Sequence, residues 1–85
     1  MTGSEELEGL KRADTQRLVL LRLVEKGEQM SSRELSKELS LSLNAVNIAL
    51  FNLHNKGLVD RVSRGVYKYK LGPILVMLLK DYFER

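Results

Sequence analysis

The chain has no cysteine, no tryptophan, one histidine (His54) and one proline (Pro73) in 85 residues. Without cysteine there can be no disulfide framework, and a single imidazole excludes almost every thiolate or imidazole metal site. Nucleophile–base pairs, a phosphate-binding glycine loop and a metal cluster are all missing, and His54 has no evident partner. Neither an enzyme nor a cofactor is therefore expected. Long apolar runs are missing too. The longest, Ile74 to Leu79, is far too short to span a bilayer. No basic, apolar, small-residue order marks a signal peptide. A soluble intracellular protein without membrane contact is the expectation. Eighty-five residues make one small domain, whose core is marginal enough that a second copy is expected to add to it.

Charge is present but uneven. The net is +3, yet residues 1–10 hold three acids and no base, so the remaining fourteen bases and eight acids leave residues 11–85 at +6. Between residues 56 and 70 the bases Lys56, Arg61, Arg64, Lys68 and Lys70 meet one acid, Asp60. Such a local excess suits a polyanion-binding surface. It equally suits a hairpin edge kept from aggregating by its lysines.

Helix signals come next. Ser4, Glu5 and Glu6 can open a short helix or arm over residues 1–13. Asp14 reads as the cap of a stronger helix, Thr15 to Lys26, closed by Gly27. Val19, Leu20, Leu21, Leu23 and Val24 cover most of its circumference, which asks for two packing surfaces, one of them from a partner. Ser31-Ser32-Arg33-Glu34 is a capping box, with Met30 and Leu35 at the staple spacing. Ser40 and Leu41 then turn the chain, and Ser42 caps a helix running to Lys56. That helix buries Leu43, Val46, Ala49, Leu50 and Leu53 by the 3.6-residue period and shows Asn44, Ala45, Ile48, Phe51, Asn52 and Asn55 on its other face.

Gly57 sits where a left-handed residue ends a helix. Leu58 to Val62 and Val66 to Leu71 read as strands joined by Ser63-Arg64-Gly65, with Tyr69 expected in the core. Gly72-Pro73 starts a last helix, Ile74 to about Phe83. An 85-residue monomer can hardly hide its apolar residues, so Ile74, Leu75, Met77, Leu78 and Tyr82, with Leu20 and Leu23 of the earlier helix, are expected at a homodimer interface. Lys80 and Arg85 are too few bases for a membrane-surface helix.

The run Leu50-x-x-Leu53-x-x-x-Gly57-Leu58-Val59, followed by Arg61, Gly65 and Tyr69-x-Leu71, resembles the winged helix-turn-helix DNA-binding regulators of bacteria and archaea. These form a broad group with MarR-type and ArsR-type repressors and many compact plasmid and viral regulators. The likeness covers roughly residues 15–72. It implies a mainly α fold with a small β-hairpin, in which residues 14–72 form the winged helix and 73–85 an added dimerisation helix.

In that family the helix after the turn enters the major groove and the wing reaches backbone or minor groove. The resemblance thus implies groove contacts from Ser42, Asn44, Ala45, Asn47 and Ile48, wing contacts from Arg61, Arg64 and Lys68, and phosphate contacts from Ser32, Arg33 and Lys37. Asn52, on the same exposed side, joins them as a candidate. Asparagine can bond adenine bidentately, and Ile48 or Ala45 can touch a thymine methyl, so an A·T-leaning site is expected. One departure stands out. The groove helix has no Arg or Lys before Lys56, where the family often carries one.

These features imply a sequence-specific homodimer on duplex DNA, a transcription regulator acting as a repressor, in the cytoplasm and on the nucleoid when bound. Two alternatives remain open from the residues. One is a protein-interaction module using outward Ile48 and Phe51, although internal or subunit packing is the leading expectation for Phe51. The other is a non-specific or plasmid-partition DNA binder. His54 is expected partly buried on the helix flank.

Overall fold

The structure, a computed structural model, describes the backbone of residues 3–83 and the side chains of residues 14–83. Helix α1 spans Gly3–Lys26, strand β1 Met30–Ser31, α2 Ser32–Leu39, α3 Leu43–Asn55, β2 Val59–Ser63, β3 Val66–Tyr69 and α4 Leu71–Phe83. Three helices back a three-stranded antiparallel sheet in the order β1-β3-β2. This mainly helical arrangement with a small sheet is the winged-helix fold expected.

The helix ends follow the local chemistry. Ser31 caps α2: its Oγ accepts from the Glu34 N–H at 3.0 Å, and the Glu34 carboxylate accepts from the Ser31 N–H at 3.1 Å. That backbone hydrogen bond, with the Ser31 side chain adding to it, holds the Glu34 carboxyl below the usual carboxylate range. Ser40 closes α2 in the left-handed conformation at φ 55°, and its N–H donates to the Ser36 carbonyl. Ser36 Oγ donates to the Leu41 carbonyl at 2.5 Å, fixing the turn before Ser42 caps α3 through the Ala45 N–H at 3.1 Å.

At the far end of α3, Gly57 has φ 75°. Its N–H donates to His54 O and that of Leu58 to Leu53 O, both at 3.0 Å. Together with the buried pair Leu53 and Leu58 this is a Schellman stop. It delivers the chain directly into β2.

Val19 and Leu23 of α1, Met30, Leu35, the α3 stripe Val46, Ala49, Leu50 and Leu53, then Leu58, Val59 and Ile74 form one core. Burying each large side chain contributes about 1.5–3 kcal/mol. Leu20, Leu39, Leu41, Tyr67 and Tyr69 pack against its edge, as expected for Tyr69.

Several expectations are corrected. Asp14 is no cap: α1 runs straight through it, and Asp14 instead lies 3.7 Å from Arg17 on the exposed face. An aspartate costs a helix interior only a few tenths of a kcal/mol, about 0.7 at most, so it does not break one. The cap expected at Ser4 lies outside the described side chains. Leu43, expected in the core, is 36 % exposed at the first position of α3, and His54 is exposed rather than partly buried. Leu23 (0 % exposed) and Ile74 (7 %), both expected at a subunit interface, are used by the domain's own core. Strand β1 was not anticipated, since two residues carry no alternation to read. Helix α4 begins three residues early, at Leu71, because Pro73 falls within its first turn, where its missing N–H costs nothing.

Candidate nucleic-acid interface

Helix α3 presents two faces. Its buried stripe fixes the other side outward, where Asn44, Asn47, Ile48, Phe51 and Asn55 recur at helical spacing, all exposed. Phe51 is 63 % exposed and Ile48 45 %. Internal packing of Phe51 is therefore corrected among the described residues: the 3.6-residue period turns it away from the buried stripe of Val46, Ala49, Leu50 and Leu53, and it stays exposed. Ala45 and Asn52 lie on the flank nearer α1, half-buried. There α1 contributes Thr15 and Gln16 to an open groove of about 330 Å³ shared with Ser42, Asn44, Ala45, Ile48 and Asn52. Sequence reasoning missed Thr15 and Gln16. Only the crossing of α1 over α3 brings them there, and the Lys56 Nζ that donates to Gln16 Oε1 at 2.7 Å marks that crossing.

The wing is hairpin β2–β3. Asp60 pairs with Lys68 and Arg61 with Tyr67, while Val62 is bulged out between Arg61 and Ser63. Strand alternation therefore puts Arg61 on the sheet face of Tyr67 and Tyr69, and Asp60, Lys68 and Lys70 on the other. Lys70 Nζ lies 3.7 Å from Asp60. With Lys56 hydrogen-bonded to the Gln16 amide and Lys70 paired with Asp60, Arg61, Arg64 and Lys68 are the bases of the segment left with neither a side-chain hydrogen bond nor an ion pair among the described residues, and all three are exposed. These are the three residues expected in the wing. They do not share a face: Arg61 and Lys68 flank the ribbon, and Arg64 stands in its loop.

The loop is tied down. Gly65, at φ 75°, turns the chain, and its carbonyl accepts from the Ser32 N–H at 2.8 Å. Ser32 itself is 7 % exposed. This corrects the phosphate role expected for Ser32, whose N–H and side chain are enclosed where the wing meets α2. Arg33 and Lys37 of α2 remain exposed.

Helix α4 is the other open feature. Ile74 alone among its residues enters the core. Leu75, Met77, Leu78 and Tyr82, the residues expected at a homodimer interface, are exposed, and so are Leu71, Val76, Leu79 and Phe83. Leu18, Leu21 and Val24 extend the exposed apolar surface on α1. Leu20 is half-buried against the core. No helix among the described residues is long and apolar enough to cross a membrane.

A family model described as winged helix-turn-helix DNA-binding matches residues 12–60, more than half of the chain. The match takes in α2, the turn, α3 and the start of β2. No curated protein and no solved structure matches.

Proposed function

The chain belongs to the winged helix-turn-helix DNA-binding family, and on that premise we propose that it acts as a homodimeric, sequence-specific duplex DNA binder repressing transcription. The observation that carries this reading is the pairing of an exposed, polar-and-apolar α3 face with three exposed bases, Arg61, Arg64 and Lys68, in the hairpin that follows it. Asn44, Asn47 and Asn52 supply amides able to read adenine, with Ser42 and Ala45 at the helix start. Arg33, Lys37, Arg61, Arg64 and Lys68 neutralise phosphates and so set register and attraction. The DNA-bound protein then belongs on the nucleoid, in the cytoplasm.

The dimer rests on α4. A contiguous apolar helix held by one core residue is unfavourable in water, and a two-fold partner covers it. Leu75, Met77, Leu78 and Tyr82 form that surface. A groove of about 630 Å³ beside it, floored by Leu58, Val76 and Met77 and rimmed by Lys56, Lys80 and Asp81, can receive the partner's helix. Two α3 helices related by the axis would meet successive major-groove faces roughly 34–36 Å apart.

Anisotropy titration against random-sequence and selected duplexes at low salt, with mass by light scattering, tests the reading. Saturable binding by a species of twice the chain mass, tighter on the selected duplex, is expected. Absence of duplex binding at low salt refutes it. A second reading, a protein-interaction module, is favoured by one observation: α3 has no Lys, Arg, Asp or Glu, while Ile48 and Phe51 are its most exposed apolar residues. A stoichiometric protein partner lost with Phe51→Ala but retained with Arg64→Ala would establish it. Binding insensitive to sequence would point to a non-specific or partition role.

A further inference from the structure

We infer that Ile48 and Phe51 read the 5-methyl groups of thymine, making this an A·T-selective domain whose discrimination is methyl-dependent. The inference rests on the DNA-binding reading and names what the α3 face would recognise. Ile48 and Phe51 stand three residues apart on the outward stripe, 45 % and 63 % exposed, with Asn44, Asn47 and Asn55 around them. They are an apolar pair set among amides, unlike the unbroken apolar run of α4.

The major-groove edge has one apolar group in unmodified DNA, the thymine methyl. Over a G·C pair, a phenyl ring and an isoleucine would cover the guanine N7 and O6 acceptors and the cytosine amine while offering them no partner, which is unfavourable. Guanine would also miss its usual donor, because α3 has neither Arg nor Lys. An A·T pair matches the face at both points: N6 and N7 of adenine for an asparagine fork, and the methyl of its partner for the apolar residue. The spacing agrees. Side chains three residues apart on a helix have Cβ atoms about 5–6 Å apart, and successive bases of a strand rise about 3.4 Å. The pair therefore spans methyls one or two steps apart. The wing bases lie elsewhere and see phosphate whichever base is present.

Replacing thymidine by deoxyuridine removes the methyl and leaves every hydrogen-bonding group in place. On a duplex selected from a random pool, full substitution should weaken wild-type binding by about fourfold per methyl lost, the equivalent of about 0.8 kcal/mol. Phe51→Ala and Ile48→Ala, both at exposed positions, should keep the fold by circular dichroism. Each should lose part of the thymidine–deoxyuridine difference. Equal wild-type affinity for the two duplexes overturns the methyl reading while leaving DNA binding intact. A Phe51→Ala protein that changes from dimer to monomer mass also overturns it, because the ring then faces a second copy. No binding to either duplex removes the DNA-binding reading itself, a separate result.

Discussion

Helix α3 and hairpin β2–β3 are neighbours in sequence but differ in charge, the first neutral and the second basic. Between Leu43 and Asn55 there is no Lys, Arg, Asp or Glu, whereas Arg61, Arg64 and Lys68 stand exposed in the hairpin. The two regions can therefore contribute different free energies. A base paired with phosphate is attracted whatever the sequence, and that attraction is dissipated by salt. An asparagine or a phenyl ring has little reach but distinguishes one base edge from another. If the proposed function holds, attraction and discrimination reside in different parts of the domain, and each should be removable without the other.

The most severe way to break the comparison is to remove what both regions stand on. Leu50 is fully buried where α3 meets the rest of the core. Leu50→Ala should cost about 2–5 kcal/mol in urea unfolding, a large share of the stability of a domain this size. It should abolish attraction and discrimination together. Retention of either by an unfolded chain would deny that the fold supplies it. Next in size, Asn47→Ala should remove about 1–3 kcal/mol of preference at one base pair, read as a loss of selectivity in a competition assay with thermal stability unchanged.

Smaller effects sharpen the comparison at the joint between helices and wing. Ser31→Ala removes the α2 cap and should cost about 1 kcal/mol, measured as a lower unfolding midpoint. Discrimination by α3, capped separately by Ser42, should persist once the protein is folded. Least of all, Glu34 contributes through a lowered pKa. Its contribution is fully present above the ordinary glutamate value and fades as the pH falls through the lower folded one. Glu34→Gln keeps a hydrogen-bond acceptor for the Ser31 N–H, so it should flatten that acid-side slope while barely changing stability at neutral pH.

Much of this was legible because the signals were local. Ser31 with Glu34, Ser42, and Gly57 with Leu58 fix helix ends through groups three to five residues apart, and the structure has each of them in place. What escaped the sequence depends on contacts between distant residues. Leu23 and Ile74 look interchangeable with Leu21 and Leu75 in composition. Only the packing of α1 and of the first turn of α4 decides which of them is buried. Ser32 has the sequence position of a phosphate ligand, but its N–H donates to the Gly65 carbonyl, 33 residues away in the chain. The bulge at Val62, which places Arg61 and Lys68 on opposite faces, follows from cross-strand register that the hairpin sequence alone does not specify. Thr15 and Gln16 joined the site because α1 crosses α3 beside them.

The central claim, that the wing attracts and α3 discriminates, is tested most directly by the salt dependence of affinity for a selected and a random duplex. Wild type, Arg64→Ala and Asn47→Ala would be measured side by side. Arg64→Ala should weaken both duplexes alike and lower the slope of log affinity on log salt by about 1. Asn47→Ala should leave the slope as it is and narrow the ratio between the duplexes. A ratio that collapses with Arg64→Ala and survives Asn47→Ala would place discrimination in the wing and contradict the account.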